Sequence, residues 1–329
     1  MTISVTCHGG FIGTTVCRLL TSAGQPFRIV DQKPSPVFPD ALQIADIRDI
    51  AALRQAIAGD CILHLAAVHR DDVRPVSLYD DINLQGTRNI CAVAAEKGIN
   101  RIVFASSVAI YGFAPAGTDE SVAAAPFNDY GRTKYEGEQV LRAWQQADPA
   151  VRSLTIIRPT VVIGPGNRGN VVNLLRQIKS GRFVMVGDGT DVKSMAYVDN
   201  VAAFFRHALG FDAGVHVYNY IDKPDLDMNE LVSLVRRRLT NKDGVGLRLP
   251  LGLGLARGKL AGLVTRVTGR SLPISWIRVK KFTSTTSFAS AAHQVPGFLA
   301  PVTLREGLDR TLHHEFVKPD PTAPVFFTE

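Results

Sequence analysis

"VTCHGGFIG", residues Val5 to Gly13, has the pattern of a buried strand that runs into a glycine-rich turn and then a helix. Gly10 and Gly13 take the second and third places of a Gly-x-x-Gly-x-x-Gly pattern, and Cys7 stands at the first. Glycines there allow a tight turn and the close approach of a pyrophosphate, while the helix presents N–H groups to the phosphates. The stretch predicts a dinucleotide-binding turn, in which Cys7 is tolerated if its φ angle is negative.

The first half of the chain alternates short apolar runs with helical stretches. The runs lie at residues 2–6, 26–31, 61–67, 101–107 and 153–159, and helices are predicted between them, including one near 13–22. Such alternation predicts an α/β fold with a parallel sheet that is covered on both faces. The second half is less regular, with short strands such as "GVHVYNY" and helices at 228–239 and 304–316.

Composition and charge narrow the class of protein. The chain has 329 residues, a net charge of +7, and four cysteines whose spacing fits neither a metal site nor a disulfide framework. No run is apolar and long enough to span a bilayer, and the N-terminus lacks a signal-peptide pattern, so we expect a cytoplasmic protein. Between Arg236 and Lys281 there are twelve basic residues and one acidic residue. This segment favours an anionic ligand: a phosphorylated small molecule first, a membrane headgroup surface second and nucleic acid last.

Two acidic residues and one apolar residue lie at or just after the ends of the next two predicted strands. Asp31 ends the second strand, eighteen residues after Gly13, where a carboxylate can bind the ribose hydroxyls and repel a 2′-phosphate. This favours NAD(H) over NADP(H), although Asp31 could also simply begin a turn. Asp46 and Ile47 could contact the adenine, the first by a hydrogen bond and the second by packing. An equally good interpretation makes Asp46 the N-cap of a helix over residues 50–58.

The chemistry is expected at "YGRTK" and "FASSVAIYG". Tyr130 and Lys134 are four residues apart, so they share one face of a helix. An ammonium near a phenol favours the phenolate and lowers its pKa, which suits a base that acts near neutral pH. Ser106 and Ser107 follow a strand at its carboxyl end, where a hydroxyl can orient a substrate toward Tyr130. A turn or helix cap is the other interpretation of the two serines.

The motifs together resemble a known family. The glycine turn, Asp31, Asp46, "HLAA", Asn83 with "GTRN", "SSVAIYG", "YGRTK", "RPTVVIGPG" and "GDGTDVKSMAYVDN" occur in the order and spacing of the extended short-chain dehydrogenase/reductases. The chain is most similar to the NAD-dependent epimerase/dehydratase group, which acts on nucleotide sugars. "NRGNVVNLLRQI" and "LPISWIRVKKF" look similar to enzymes of bacterial surface-polysaccharide pathways. The resemblance implies a Rossmann-type doubly wound parallel sheet in residues 1–165 and a smaller α/β substrate lobe in 166–329, with some segments interleaved.

The resemblance also assigns site residues. It implies catalysis by Ser107, Tyr130 and Lys134, with the last two also touching the cofactor. It implies NAD contacts at Gly10, Phe11, Ile12, Gly13, Asp31, Asp46, Ile47, Leu65, Ala66 and Ala67. It implies substrate contacts at Ser107, Val184, Val186, Lys193 and Lys280, the first beside the sugar, the two valines beside the base and the lysines near the diphosphate. A homodimer through the helices near residues 86–98 and 130–146 is a further implication.

Two further departures from the family pattern bear on the reaction. Val161 stands where many relatives carry an asparagine that binds the sugar or phosphate. The 4,6-dehydratases carry an acidic pair after the catalytic hydroxyl residue, but here those places hold Val108 and Ala109, which transfer no proton. The resemblance therefore implies redox chemistry at one sugar carbon, most simply C4, without dehydration.

Three functions remain in contention. The favoured one is a UDP-sugar 4-epimerase with tightly held NAD, for which Asp31 argues. The second is a UDP-4-keto-6-deoxy-HexNAc 4-reductase of surface-polysaccharide synthesis, which takes its reducing equivalents from exchanging cofactor. A non-catalytic dinucleotide-sensing regulator is the third, and the Ser–Tyr–Lys set argues against it. Binding of nucleic acid is not expected, and membrane contact is expected to be peripheral at most.

Overall fold

A computed structural model describes residues 1–7, 9–35, 37–70, 73–250, 252 and 285–326. The strands are β1 (Ile3–Thr6), β2 (Phe27–Asp31), β3 (Leu42–Ile44), β4 (Cys61–His64), β5 (Arg101–Ala105), β6 (Ser153–Pro159), β7 (Val161–Ile163), β8 (Met185–Val186), β9 (Val192–Lys193), β10 (Met195–Tyr197), β11 (Gly214–Tyr220), β12 (Leu226–Asp227) and β13 (Arg248–Leu249). The helices are α1 (Phe11–Ser22), α2 (Ile50–Ala56), α3 (Gly86–Glu96), α4 (Asp129–Gln146), α5 (Asn170–Lys179), α6 (Val198–Ala208), α7 (Met228–Thr240) and α8 (Leu304–Leu312).

Seven strands form one parallel sheet in the order β3-β2-β1-β4-β5-β6-β11. The direction of progression reverses between β1 and β4, so their carboxyl ends flank the crevice in which doubly wound sheets bind ligands. The fold class expected from the sequence is confirmed. The seventh strand, β11, comes from the second half of the chain and pairs along its whole length with β6.

Both faces of the sheet are buried, which explains why its strands are almost continuously apolar. Along β5, Val103 packs on the side of α1 and α6, whereas Ile102 and Phe104 pack on the side of α2, α3 and α4. Successive side chains of a strand point to opposite faces, so each strand contributes to two cores. Both cores are built from fully buried Ile, Leu, Val and Phe side chains.

The smaller elements of the second half share a third core. Strands β7 and β10 pair in parallel, as do β8 and β13, while β9 and β12 pair in antiparallel fashion. The core beneath them includes Leu175 of α5, Leu231 of α7 and Leu308 of α8. The proposed division of the chain at residues 165 and 166 stays a prediction.

One sequence expectation about a helix end is wrong. The N-cap of α2 is Asp49, whose side chain accepts hydrogen bonds from the backbone N–H groups of Ala51 and Ala52, and not Asp46. The helix expected near residues 304–316 is present, as an α-helix over Leu304–Leu312 that continues as a π-helix over His313–Val317. Most of the basic segment, including Lys280, lies outside the described residues. Among the described residues, no helix is long and apolar enough to cross a membrane.

A close backbone contact at Gly112 generates a stability prediction. Gly112 follows the 3₁₀ helix Val108–Tyr111 with a φ of +63°, and a Cβ there would lie 2.2 Å from the carbonyl oxygen of Ala125. We expect Gly112→Ala to lower the free energy of unfolding by at least about 2 kcal/mol more than Gly117→Ala, because only the first adds a backbone clash. Gly117 also has a positive φ but has nothing within 4 Å of such a Cβ. Urea titrations of both variants measure the difference, and equal losses would contradict the packing described.

Candidate active site

The glycine turn after β1 leads into the N-terminus of α1 at the carboxyl ends of the strands. Gly10 is the N-cap of α1, no described side chain caps that end, and its first turn contains no acidic residue. The first N–H groups of a helix have no partner within the helix, so the N-terminus of this twelve-residue helix can bind an anion. This arrangement fits a pyrophosphate. It agrees with the contacts to NAD that the sequence predicts for Gly10, Phe11, Ile12 and Gly13, which stay predictions.

Cys7 does not meet the condition that the sequence interpretation set for it. Its φ is +59°, in the left-handed region, and not negative. A non-glycine residue in this region is destabilised by about 1–2 kcal/mol, which is why glycine is the usual residue at this point of the turn. Burial and the neighbouring Asp31 raise the pKa of the Cys7 thiol to about 11, so it is a neutral thiol near pH 7. Cys7 keeps the shape of a glycine turn at the expense of local strain.

Asp31 lies beside this turn at the carboxyl end of β2. Its carboxylate accepts hydrogen bonds from the backbone N–H groups of Gly9 and Lys33, both at 3.1 Å. The side chain is thereby held next to the glycines, in the position that suits a ribose diol. A plain turn-forming role, the other interpretation of Asp31, is also visible in the bond to Lys33.

Asp46 and Ile47 lie at the carboxyl end of β3, but both already have protein contacts. Asp46 forms a two-pronged ion pair with Arg48, with contacts of 3.0 and 2.6 Å, and that arginine lowers the pKa of the carboxyl group. Ile47 is buried, and its side chain lies against the backbone of Gly86 in α3. Their proposed contacts with adenine stay predictions.

The segment Leu65–Ala67 leaves β4 next to the glycine turn, and side chains from two strands hold it. The Thr6 hydroxyl accepts hydrogen bonds from the N–H groups of Leu65 and Ala66, both at 3.1 Å. The same hydroxyl lies 3.0 Å from Nδ1 of His64, whose Nε2 lies 3.0 Å from the Thr87 hydroxyl. This buried network shapes the wall of the cofactor crevice, and "CILHLAA" gave no signal for it beyond one histidine in an apolar strand.

The three predicted catalytic residues come together at the carboxyl end of β5. Ser107 caps the 3₁₀ helix Val108–Tyr111, and its Oγ accepts a hydrogen bond from the N–H of Ala109 at 3.1 Å. Tyr130 and Lys134 lie in the first two turns of α4, which Asn128 caps. The Ser107 hydroxyl acts to lower the pKa of the Tyr130 phenol, which places the two side chains near each other. The helix-cap interpretation of Ser107 is confirmed, and its role toward a substrate stays a prediction.

The pKa of Tyr130 differs from the sequence expectation. Burial raises it to about 12, and the Ser107 hydroxyl opposes this rise only in part. The expected lowering is therefore not produced by the surrounding side chains. The reason is that Lys134 directs its ammonium elsewhere: Nζ donates a hydrogen bond to the carbonyl of Ala105 at 2.6 Å and lies 4.7 Å from the centre of the Phe104 ring.

Lys134 is nearly inaccessible to solvent, with 2% of its surface exposed. Burial lowers its pKa to about 7, whereas Cys7 and Glu138 act in the opposite direction. Near neutral pH the side chain can therefore gain or lose a proton readily. A lysine of this kind can carry charge beside Tyr130 and the crevice.

The described substrate residues of the second half lie on neighbouring short strands. Val186 belongs to β8 with Val184 just before it, both half-buried, and Lys193 belongs to β9. Burial lowers the pKa of Lys193, and Asp191 opposes this. Lys193 pairs with Thr286, while the ring of Phe288 lies 6.0 Å from that of Tyr111 in the 3₁₀ helix after Ser107. The chain between these contacts brings β9 toward the Ser107 segment.

Val161 begins β7 and is 47% exposed. It follows Pro159 at the carboxyl end of β6, next to the strand end that carries Ser107. An exposed valine here offers an apolar contact and no hydrogen bond.

Sequence reasoning missed a buried polar network next to these residues. Glu138 and Arg158 form an ion pair with a shortest contact of 2.6 Å, and Ser106 donates to Glu138 at 2.5 Å. The signals were present: Glu138 continues the four-residue spacing of Tyr130 and Lys134, and Arg158 interrupts an apolar strand. Within the described part of the chain, no cluster of His, Cys, Asp or Glu could hold a metal ion.

Comparison with known proteins agrees with this architecture. The model of the "NAD dependent epimerase/dehydratase family" matches residues 3–220. The chain is 50% identical over 312 residues to the N-acetyl-alpha-D-glucosaminyl-diphospho-ditrans,octacis-undecaprenol 4-epimerase of Escherichia coli O157:H7, covering 94% of this chain and 93% of that protein. It is 26% identical over 327 residues to the UDP-glucose 4-epimerase of Vibrio cholerae, covering 94% of each.

Solved structures show the same fold. MoeE5 in complex with UDP-glucuronic acid and NAD superposes with a TM-score of 0.72 at 25% identity, covering 95% of this chain and 98% of that one. The UDP-glucose 4-epimerase of Thermus thermophilus in complex with NAD gives 0.71 at 20% identity, with the same coverage.

The parallel sheet with its glycine turn defines an enzyme of the extended short-chain dehydrogenase/reductase class. Within that class, the chain belongs to the NAD-dependent epimerase/dehydratase family, and NAD is its cofactor.

His64 generates a prediction about stability and pH. Burial, assisted by the charge of Lys134, lowers the pKa of His64 to about 3, whereas an unfolded histidine titrates near 6.5. Below about pH 6.5, His64 therefore binds a proton in the unfolded chain but not in the folded chain. Its titration leaves the free energy of unfolding unchanged above about pH 6.5 and lowers it increasingly below that pH. From about pH 7 to about pH 5 we expect this residue to account for a loss of about 2 kcal/mol.

Urea unfolding at both pH values measures this loss. His64→Gln removes the titration, so the variant should lose less stability than the wild type on acidification. His313→Gln changes an exposed histidine and serves as the matched control. If His64→Gln and the wild type lose equal stability, the buried neutral imidazole is not what the acid acts on.

Proposed function

We propose that this enzyme inverts C4 of an N-acetylhexosamine that is carried on a diphosphate, with polyprenol as the carrier alcohol. The observation that carries the proposal is 50% identity, over 94% of the chain, to a relative named for 4-epimerisation of such a lipid-linked sugar. Ser107, Tyr130 and Lys134, which lie together at the end of β5, supply the groups that C4 redox needs.

Each residue has a part in the proposed reaction. NAD, when bound in the crevice, would supply the hydride acceptor and donor for C4. Tyr130 takes the proton of the C4 hydroxyl and later gives it back. Ser107 orients the C4 hydroxyl toward Tyr130, because its own Oγ is fixed by the N–H of Ala109. Lys134 supplies positive charge beside them.

The turn and strand ends would hold the cofactor. The N-terminus of α1 would bind the pyrophosphate and Asp31 the ribose of NAD, with Leu65, Ala66 and Ala67 along one wall of the crevice. These assignments follow from the turn, in which no described side chain caps α1 and a carboxylate lies beside Gly9.

Two features of the chain favour a polyprenyl over a nucleoside carrier. The segment from Arg236 to Lys281 combines twelve basic residues with apolar runs such as "LGLGLA", a composition that suits a diphosphate at an anionic membrane surface. Val161, half exposed at the mouth of the site, replaces a hydrogen-bonding side chain by an apolar one. A UDP-sugar 4-epimerase is the second candidate, supported by the relative from Vibrio cholerae.

The other interpretations of the sequence concern 4,6-dehydration, keto-sugar reduction, the homodimer and the substrate contacts. Val108 and Ala109 in the 3₁₀ helix after Ser107 offer no proton-transfer group, which argues against 4,6-dehydration. A UDP-4-keto-6-deoxy-HexNAc 4-reductase is distinguished from an epimerase by its need for added NADH. The homodimer through α3 and α4, the substrate contacts of Val184, Val186, Lys193 and Lys280, and peripheral membrane contact stay predictions.

Removal of the phenol tests the catalytic assignment. We expect Tyr130→Phe to lower kcat by about 10²- to 10⁴-fold, because the proposed reaction moves the C4 proton through this phenol, while NAD binding is retained. Tyr135→Phe, on the same helix, is the matched control and should keep wild-type turnover. Turnover is measured by NMR of the sugar product, and NAD retention by the absorbance of the purified protein. Full activity in Tyr130→Phe would exclude it as the base.

A substrate panel tests the carrier and the reaction type. The panel contains N-acetylglucosaminyl-diphospho-undecaprenol in detergent, UDP-N-acetylglucosamine, UDP-glucose and a UDP-4-keto-6-deoxy sugar, each with and without NADH. We expect the C4 epimer from the lipid-linked sugar without added NADH, because the hydride is returned within one turnover. The sugars are released by mild acid and identified by NMR.

The other outcomes are equally informative. A higher kcat/KM for a UDP-sugar than for the lipid-linked sugar would show that the carrier is a nucleotide and not a polyprenol. Product only from the keto sugar with NADH would make the enzyme a reductase. Absence of product from every member, with NAD bound, would overturn the proposed C4 chemistry.

A further inference from the structure

A buried ion pair lies one helical turn beyond Lys134. Glu138 of α4 is fully buried and Arg158 of β6 is 5% exposed. The guanidinium donates hydrogen bonds to both carboxylate oxygens, with Nε at 2.9 Å from Oε1 and Nη2 at 2.6 Å from Oε2. A buried charge pair is unfavourable unless further hydrogen bonds complete it, so the surroundings of this pair decide what it does.

Further hydrogen bonds surround the pair. Ser106, adjacent in the chain to Ser107, donates to Oε1 of Glu138 at 2.5 Å. Nη1 of Arg158 donates to the Tyr111 hydroxyl at 2.6 Å, and that hydroxyl donates to Asn219 at 2.9 Å. The network ties α4 to β6, to the end of β5, to the 3₁₀ helix after Ser107 and to β11. It therefore touches every element that carries a catalytic residue.

The network also faces Lys134. Residues 130, 134 and 138 are four apart on α4, so Tyr130, Lys134 and Glu138 lie along one face of the helix. The other groups around Lys134 come from each packed element: the thiol of Cys7 after β1, the ring of His64 in β4, the ring of His69 in the following loop and the carbonyl of Ala105 in β5.

We propose that Glu138, held by Arg158, is a positioning residue that keeps Lys134 protonated and seats α4 so that Tyr130 and Lys134 meet the substrate. Among the groups around Lys134, Glu138 supplies the negative charge at neutral pH. The imidazole of His64 is neutral there, because burial lowers its pKa to about 3, and the Cys7 thiol is neutral, because burial raises its pKa to about 11. The catalytic part of this inference rests on the proposed C4 chemistry, whereas the charge on Lys134 does not.

Direct titration of Lys134 tests the inference without substrate. In holoenzyme labelled with [13Cε]lysine, the Lys134 signal is assigned by its loss in Lys134→Arg and followed against pH by NMR. We expect Glu138→Gln to lower the apparent pKa of Lys134 by about one unit or more, because an opposite charge nearby is removed. Arg158→Met should do the same, since a buried carboxylate without a partner takes up a proton.

Glu315→Gln is the matched control. Glu315 also forms a buried ion pair, with Arg168, but that pair lies in the second half of the chain away from Lys134. Its removal should lower stability and leave the Lys134 titration unchanged. In turnover assays, the alkaline limb of the pH–kcat profile should move to lower pH in Glu138→Gln and stay in place in Glu315→Gln.

A purely structural role predicts different results. The double variant Glu138→Leu/Arg158→Met replaces the pair by apolar groups, which commonly preserves stability. It keeps the test readable if the single variants do not fold. We expect the double variant to fold, to show a lowered Lys134 pKa as in Glu138→Gln, and to have a lower kcat than the wild type. An unchanged Lys134 titration in folded Glu138→Gln or in the double variant would overturn the inference. Absence of C4 turnover in the wild-type holoenzyme, with a shifted titration in the variants, would overturn only the proposed C4 reaction.

Discussion

The contact between Glu138 and Arg158 ties the catalytic helix to the sheet inside the protein. Helix α4 carries Tyr130 and Lys134, and its C-terminal half packs Leu141 and Trp144 into an apolar core. The ion pair adds a directional constraint, because two short hydrogen bonds meet one carboxylate. The geometry of the site therefore depends on a polar contact within an otherwise apolar interior.

The cofactor crevice follows from the reversal of strand order between β1 and β4. Thr6 and His64, at the ends of these two strands, are bonded to each other and to the segment that forms one wall. Cys7 shows that the turn is governed by backbone shape and not by residue identity alone, since it takes a left-handed φ that glycine would adopt without strain.

Identity of the substrate carrier is a question about the second half of the chain. Short strands there bring Lys193 toward the Ser107 segment, and the exposed Val161 provides an apolar surface at the strand end. A basic and apolar composition from Arg236 to Lys281 accords with a diphosphate bound at a membrane surface. In the proposed function, the redox chemistry thus belongs to the main sheet, and recognition of the carrier belongs to the second half of the chain.

The three residues expected to act on the sugar stay predictions, whereas the amino-acid sequence alone determined the fold class and the bounds of most strands in the main sheet. These depend on local periodicity and short spacings, which a chain retains before it folds. Tertiary structure decided the left-handed Cys7, the N-cap role of Asp49, the raised pKa of Tyr130 and the partnership of Glu138 with Arg158. These features depend on burial and on contacts between residues far apart in the chain, for which a linear pattern carries no distance or dielectric information.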